Sequence, residues 1–75
     1  AGPDGEAVRR ELHDEVIAAI QALPAIYREP FVLRHVNGWT YREIGEVMGL
    51  PIDSVETRLV RARRFLRESL QDRIG

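Results

Sequence analysis

The sequence contains no cysteine and no lysine, and aromatic residues make up only 7% of its 75 residues. Without cysteine, the chain can form no disulfide framework and no thiolate zinc site, and it has no cysteine nucleophile. No apolar run approaches the ~18 residues that a membrane span requires, and no basic, apolar leader of the signal-peptide kind is seen. The hydrophobic fraction of 44% still suffices for a core. These features indicate one small globular domain, taken from a longer protein, that does not enter a membrane.

Residue constellations for catalysis are also missing. His13 and His35 are isolated, with no second metal ligand four residues away. We find no glycine-rich phosphate loop and no serine–histidine–aspartate or paired-carboxylate arrangement placed on a loop. The sequence therefore predicts no enzyme, no metal site, no cofactor and no small-molecule substrate.

The charged residues are unevenly distributed. The net charge is -1, but all eleven basic residues are arginine, and residues 51–75 hold six of them against four acidic residues. Between Thr57 and Arg67 there are five arginines and no acidic residue. Local charge decides what a surface attracts, and arginine suits two-pronged contacts to phosphate or guanine. Clustering of this kind favours a nucleic-acid partner, although a surface of solvated arginines is the simpler alternative.

Apolar spacing predicts four helices and no strand. We expect the first from about Gly5 to Leu23, and the second over 25–37, with only a turn at 25–28 because Pro30 should interrupt a helix. Residues 1–4 are expected to be a flexible lead added by cloning, and residues 5–75 to form the domain. The predicted fold is an all-α four-helix bundle, of the winged-helix-like DNA-binding class without a wing.

The third and fourth segments have the spacing of a helix-turn-helix. Thr40 and Glu43 match a capping box at the start of the third helix, in which Ile44, Val47 and Met48 are expected to face inward. A small residue, Gly45, precedes Gly49 by four positions, and the fourth helix follows Leu50-Pro51 and runs to about Asp72. Gly45 would allow two helices to cross closely, and Gly49 would supply the positive φ of a tight turn. A helical hairpin with a purely structural role is the alternative.

A helical projection of the fourth helix separates two faces. Apolar residues cluster on one side, and Asp53, Thr57, Val60, Arg61 and Arg64 lie opposite. Because arginine can donate two hydrogen bonds to guanine, Arg61 and Thr57 are candidates for base contacts. Val60 either touches a thymine methyl group or is simply exposed. Arg58 flanks this face and is a candidate for phosphate contact.

The sequence resembles region 4 of bacterial sigma factors, and most of all the extracytoplasmic-function (ECF) type. The resemblance covers about Glu11 to Leu70. It is carried by Leu23-Pro24, Arg28-Glu29, Leu33-Arg34, Gly38, the run from Trp39 to Ile44, Gly49-Leu50-Pro51, and the run from Val55 to Arg63. The resemblance implies binding of double-stranded promoter DNA at the -35 element, docking on the β flap of RNA polymerase core, an anti-sigma partner, and a place on the nucleoid in the bacterial cytoplasm.

The family motif also assigns roles to residues of this sequence. It implies base contacts by Glu56, Thr57, Val60 and Arg61. Glu56 departs from the lysine or arginine that is usual there, and its carboxylate can accept a hydrogen bond from cytosine N4 or repel a phosphate. Contacts to the DNA backbone are predicted for Thr40, Tyr41, Arg42, Arg58, Arg63 and Arg64.

Two other functions compete with this one. The DNA-binding domain of a LuxR-type response regulator shares the turn spacing, but it needs a further helix for dimerisation that the sequence does not predict. A module that mainly binds protein, either the polymerase flap or an anti-sigma factor, would use exposed apolar side chains. The candidates for such a surface are Phe65, Phe31 and Val36, each of which can instead complete the domain's own core.

Overall fold

The computed structural model describes the backbone of residues 3–74 and the side chains of residues 9–71. Within these residues the chain forms four α-helices and no strand: α1 (Pro3–Gln21), α2 (Ala25–His35), α3 (Tyr41–Met48) and α4 (Ile52–Ile74). The predicted all-α, four-helix fold is confirmed. Helix α1 begins at Pro3, within the segment 1–4 that was expected to be flexible, and residues 1 and 2 lie outside the described part. No helix in the described part is long and apolar enough to cross a membrane.

Helix α4 is the centre of the domain, since each of the other helices packs against it. Its buried residues belong to two clusters. In the first, Ala62 and Leu66 pack against Ala19 of α1 and against Leu23, which lies in the turn after α1. In the second, Val55 and Leu59 pack against Ile44 of α3. The side chain of Phe31 in α2 packs against both clusters and so joins them.

Helix α2 differs from its prediction. It is a regular α-helix from Ala25 onward, with the buried Pro30 inside it, rather than a turn followed by a helix from Glu29. Proline has no N–H, so the carbonyl of Ile26 lacks the usual donor four residues later. The structure provides a substitute: Nη1 of Arg58 in α4 donates to the Ile26 carbonyl oxygen at 3.4 Å. The helix is also anchored at its start, where the N–H groups of Tyr27 and Arg28 both donate to the Pro24 carbonyl.

The predicted capping box at the start of α3 is confirmed. The Thr40 hydroxyl accepts from the N–H of Glu43 at 3.1 Å, and the Glu43 carboxylate accepts from the N–H of Thr40 at 3.0 Å. The hydrogen bond from the Thr40 N–H to the carboxylate, and to a lesser degree the nearby Thr40 hydroxyl, lower the pKa of Glu43 because they favour its charged form. Trp39, just before the cap, packs against the cluster that contains Ile44, as expected of a hydrophobic staple. The start of α3 is thus fixed by local contacts.

Replacing Thr40 with alanine is expected to lower the free energy of unfolding by about 1 kcal/mol, because the N–H of Glu43 loses its acceptor at the helix start. Urea unfolding at pH 7 followed by circular dichroism measures the change. Glu46→Ala serves as a control, since Glu46 is an exposed residue of the same helix outside the capping box. Equal losses in the two variants would contradict a stabilising role for the cap.

Candidate nucleic-acid interface

The turn between α3 and α4 is built around a close approach of two backbone segments. Gly45 is buried, and a β-carbon placed on it would lie 2.6 Å from the Leu50 carbonyl oxygen. The N–H of Leu50 donates to the Gly45 carbonyl oxygen at 2.8 Å. Gly49 ends α3 in the left-handed conformation, with φ at 69°. The predicted roles of both glycines are therefore confirmed, and this turn sets the direction in which α4 leaves α3.

The inward and outward faces of α4 are clearly separated. Val55, Leu59 and Ala62 are fully buried, and Leu66 is 8% exposed. The four residues assigned to base contacts, which are Glu56, Thr57, Val60 and Arg61, are all exposed on the first half of the helix. With side chains, a helix is about 10–12 Å across, which matches the ~12 Å width of the DNA major groove. The structure thus presents these side chains together on one accessible helix surface.

Thr57 is restrained within this surface. Its hydroxyl donates to the Asp53 carbonyl oxygen one turn earlier, at 3.0 Å. With its proton used in this way, the hydroxyl can offer a partner only its lone pairs, alongside the methyl group. Asp53, Thr57 and Arg61 also line a shallow concavity of about 270 Å³, together with Ser54 and Arg58. Arg61 is therefore the exposed side chain in this group that carries several N–H donors.

The arginines of α4 are not equivalent. Arg58 is half-buried and donates to α2, as described above. Arg64 is exposed, and its Nε lies 3.5 Å from a carboxylate oxygen of Glu68. Arg61 and Arg63 are exposed. Exposed side chains can move to meet a phosphate at little cost, whereas Arg58 would have to leave the Ile26 carbonyl.

The predicted backbone contacts from α3 lie at the beginning of that helix. Thr40 and Arg42 are exposed, and Tyr41 is half-buried beside the second core cluster. The guanidinium of Arg34 lies over the Tyr41 ring at 5.0 Å from its centroid, and it also donates to the Trp39 carbonyl at 2.9 Å. Sequence reasoning did not assign a role to Arg34, which holds the segment before α3 against α2.

The three residues predicted for a protein-partner surface do not form a single patch. Val36 is 69% exposed and Phe65 is 44% exposed. The Phe65 ring packs on that of Tyr27, with centroids 5.4 Å apart. Phe31 instead belongs to the core, where it joins the two clusters. Phe65 and Val36 therefore remain as the accessible members of this set.

A groove between α2 and α3 was missed by the sequence analysis. Val47 was predicted to face inward, but its side chain is 65% exposed, so this prediction is wrong. It lines an open groove of about 650 Å³ with Met48, Val32 and Leu33, and with Arg28 and Glu29 at its polar side. In the short α3, Ile44 is buried in the second core cluster and Tyr41 and Met48 pack against it, whereas Val47 is not part of that cluster.

His35 lies at the end of α2, on the side toward α4. Its ring packs against that of Phe31, with centroids 4.4 Å apart. Partial burial lowers the pKa of His35 below its ordinary value of 6.5, and the positive charges of Arg63 and Arg34 lower it further. Folding therefore favours the neutral imidazole.

This shift predicts a pH dependence of stability. Because the folded-state pKa of His35 is below 6.5, the unfolded chain binds more protons as the pH falls below that value, and the contribution to stability is lost. We expect the urea midpoint to fall between pH 7.5 and pH 5.5, and to fall less in His35→Asn. His13→Asn is the matched control, since His13 is exposed on α1. An unchanged pH dependence in His35→Asn would contradict this assignment.

Comparison with known proteins decides between the candidate families. Residues 13–66 match the family described as Sigma-70, region 4, and this match includes the turn and the exposed face of α4. The chain belongs to the sigma-70 region 4 family. The predicted resemblance is confirmed, and the LuxR-type alternative is not favoured.

Curated relatives agree with this assignment. The chain is 36% identical over 70 residues to the ECF RNA polymerase sigma factor SigW of Bacillus subtilis, covering 93% of this chain and 37% of that protein. It is 32% identical over 69 residues to the ECF RNA polymerase sigma-E factor of Haemophilus influenzae, covering 92% and 36%. The sigma-E factor of Escherichia coli is 31% identical over 71 residues, covering 95% and 37%. This region 4 domain thus spans little more than a third of the length of these relatives.

Proposed function

We propose that this region 4 domain binds the -35 element of promoter DNA on behalf of an ECF-type sigma factor. The observation that carries the proposal is the exposed face of α4, which follows a helix-turn-helix with its close crossing at Gly45. In this arrangement α3 supports α4, and the first half of α4 enters the major groove. No catalysis is needed, since the domain works by placing a larger protein at a DNA sequence.

In this proposal, base edges are contacted by the four exposed residues of the first half of α4. Arg61 donates to guanine O6 and N7, and Val60 can pack against a thymine methyl group. Thr57 offers its lone pairs, because its proton is engaged by Asp53. Glu56 is the chain's departure from the family pattern, and its carboxylate can accept only from a donor such as cytosine N4. These side chains favour a preference distinct from that of relatives with a basic residue there.

Contacts to the DNA backbone would surround this face. Arg63 and Arg64 follow along α4, and Thr40, Tyr41 and Arg42 lie at the start of α3. Such contacts fix the register of a protein on DNA without selecting a sequence. The net charge of -1 gives DNA no overall attraction to the domain, so binding depends on these local contacts. We therefore expect measurable binding only at low salt, because counterion release supplies much of the affinity.

Partners of the whole sigma factor are also part of the proposal. A domain of this type would join RNA polymerase core, with the β flap as the docking site, and could be held by an anti-sigma factor. The accessible apolar side chains of Phe65 and Val36 support a protein-binding role in addition to DNA binding. Together these interactions would place the protein on the bacterial nucleoid.

Selection from a randomised duplex library at low salt tests the function. We expect the domain to enrich one short, asymmetric motif, because a single α4 contacts a single groove. A two-fold palindrome would instead indicate a dimeric regulator and overturn the proposal. If nothing is enriched, the same selection with RNA polymerase core and the full-length sigma factor decides whether the domain requires polymerase to hold it on DNA. Absence of a motif there too would contradict DNA recognition.

A further inference from the structure

Arg58 lies where α4 meets α2, and its surroundings differ from those of the other arginines of α4 whose side chains the structure describes. It is half-buried, while Arg61, Arg63, Arg64 and Arg67 are exposed. Its Nη1 donates to the Ile26 carbonyl oxygen at 3.4 Å, across 32 residues of sequence. The helical projection and the family pattern both predict a phosphate contact for this residue, and such a contact would require its guanidinium to be free to reach the DNA.

The acceptor of this hydrogen bond is a helix carbonyl that has no N–H donor four residues later. In a regular helix the Ile26 carbonyl would accept from the N–H of residue 30. Residue 30 is a buried proline inside α2, so that donor is missing. The Ile26 carbonyl oxygen is therefore open to a donor from outside α2. The guanidinium of Arg58 thus supplies to α2 the donor that Pro30 removes.

The same bond links two elements whose relative placement matters for DNA binding. Arg58 is adjacent to Thr57 and three residues from Arg61, both of which lie on the exposed face of α4. Helix α2 contacts both core clusters through Phe31, so it is firmly attached to the rest of the domain. A contact from α2 to the first half of α4 therefore fixes the rotation of the exposed face.

We propose that Arg58 is a positioning residue, which holds the recognition helix against α2 by donating to the Ile26 carbonyl that Pro30 leaves without an N–H, rather than a residue that contacts phosphate. The proposal assigns a specific role to a proline that would otherwise weaken the helix. Its consequence for DNA rests on the function proposed above, whereas the link between Arg58 and Pro30 does not.

A thermal double-mutant cycle tests the link without DNA. The variants are Arg58→Ala, Pro30→Ala and the double variant, with Arg67→Ala as a control for removing an exposed arginine from the same helix. Arg58→Ala is expected to lower the melting temperature by about 4 °C, the shift that one lost hydrogen bond gives a domain of this size. With alanine at residue 30, an N–H is available to Ile26, and the additional loss from Arg58→Ala should be less than half as large. Equal losses in both backgrounds would overturn the proposal.

DNA binding then separates positioning from phosphate contact. At a temperature where all variants are folded, the selected duplex and an unrelated duplex are titrated over a range of salt concentrations. A positioning role predicts that Arg58→Ala lowers the ratio of specific to non-specific affinity by about fivefold while the salt dependence keeps its slope. Arg63→Ala, at a proposed phosphate contact, should lower that slope by about one unit. A loss of about one unit of slope in Arg58→Ala would overturn the positioning role. Failure of the unaltered domain to bind would count against the proposed function, and the thermal cycle would still decide the link.

Discussion

Replacing Gly45 with alanine is expected to destabilise the domain by a net amount of about 1–2 kcal/mol. A β-carbon at this position would lie 2.6 Å from the Leu50 carbonyl oxygen and 3.7 Å from Cγ2 of Val55. The oxygen is a backbone atom, so it cannot rotate away as the end of a flexible side chain could. It is also close to the hydrogen bond from the Leu50 N–H to Gly45. The clash can be relieved only if α3 moves away from the turn, and this movement would loosen the packing of the second core cluster.

Two effects oppose each other in this substitution. Alanine is favoured over glycine inside a helix by about 0.5–1 kcal/mol. Overpacking of a close contact costs about 1–3 kcal/mol. Since the clash is with backbone, we expect the second effect to be larger.

Thermal unfolding measures the difference. Each kcal/mol corresponds to about 4–8 °C in a domain of this size, so the melting temperature should fall by at least several degrees. Glu46→Ala, at the next residue of α3, is the matched control, because Glu46 is exposed. A variant with alanine at residue 45 that melts at or above the temperature of the unaltered domain would contradict the close-crossing interpretation of the turn.

Local features were the most predictable from the sequence. The capping box at Thr40 and Glu43 and the left-handed glycines at 38 and 49 depend only on residues a few positions apart. The inward face of α4 was equally clear, because Val55, Leu59, Ala62 and Leu66 repeat at three and four residues over a long helix. Periodicity of this kind is informative when the helix is long enough to show it more than once.

The errors arose where a distant residue decides the local structure. Pro30 was expected to interrupt α2, and by its local chemistry it should. The substitute donor, Arg58, lies in another helix, and no pattern in the sequence near Pro30 predicts this contact. Val47 was placed in the core by apolar spacing, but α3 has only eight residues, and its contact with α4 is centred on Ile44 and Gly45. Phe31 was assigned to a partner surface because so small a domain is expected to leave apolar side chains exposed, whereas the structure packs it against both core clusters.

The candidate site was predictable in part. A helical projection placed Thr57, Val60 and Arg61 on one outward face, and the structure has them exposed there. Differences among the arginines were predictable only in part, because the projection places Arg61 and Arg64 on that face and Arg58 at its flank but does not show what each side chain contacts. Only packing against α2 distinguishes Arg58, and only the geometry of one turn gives Arg64 its carboxylate neighbour, Glu68.

Replacing Arg61 with alanine is expected to weaken binding to the selected promoter duplex by about 1–3 kcal/mol, which corresponds to about five- to 150-fold in the dissociation constant. The reason is the loss of a two-pronged contact to one guanine. Arg61 is suited to this contact because it is exposed on the same face as Thr57, and it shares a shallow concavity with that residue. Thr57 cannot replace it as a donor, because its hydroxyl proton is already donated to the Asp53 carbonyl oxygen.

The loss of sequence preference in Arg61→Ala should be confined to one base pair. This distinguishes a base contact from a general attraction between the arginine charge and the phosphates. Competition binding with duplexes that differ from the selected motif by single base pairs measures it. In the unaltered domain each mismatch costs binding, whereas Arg61→Ala should become indifferent at one position and keep its preferences elsewhere. Arg67→Ala, which removes the same charge from an exposed position further along α4, should keep every preference. If Arg61→Ala weakened binding to all duplexes alike and retained every preference, Arg61 would be a phosphate contact, and sequence recognition would have to reside in Glu56, Thr57 and Val60.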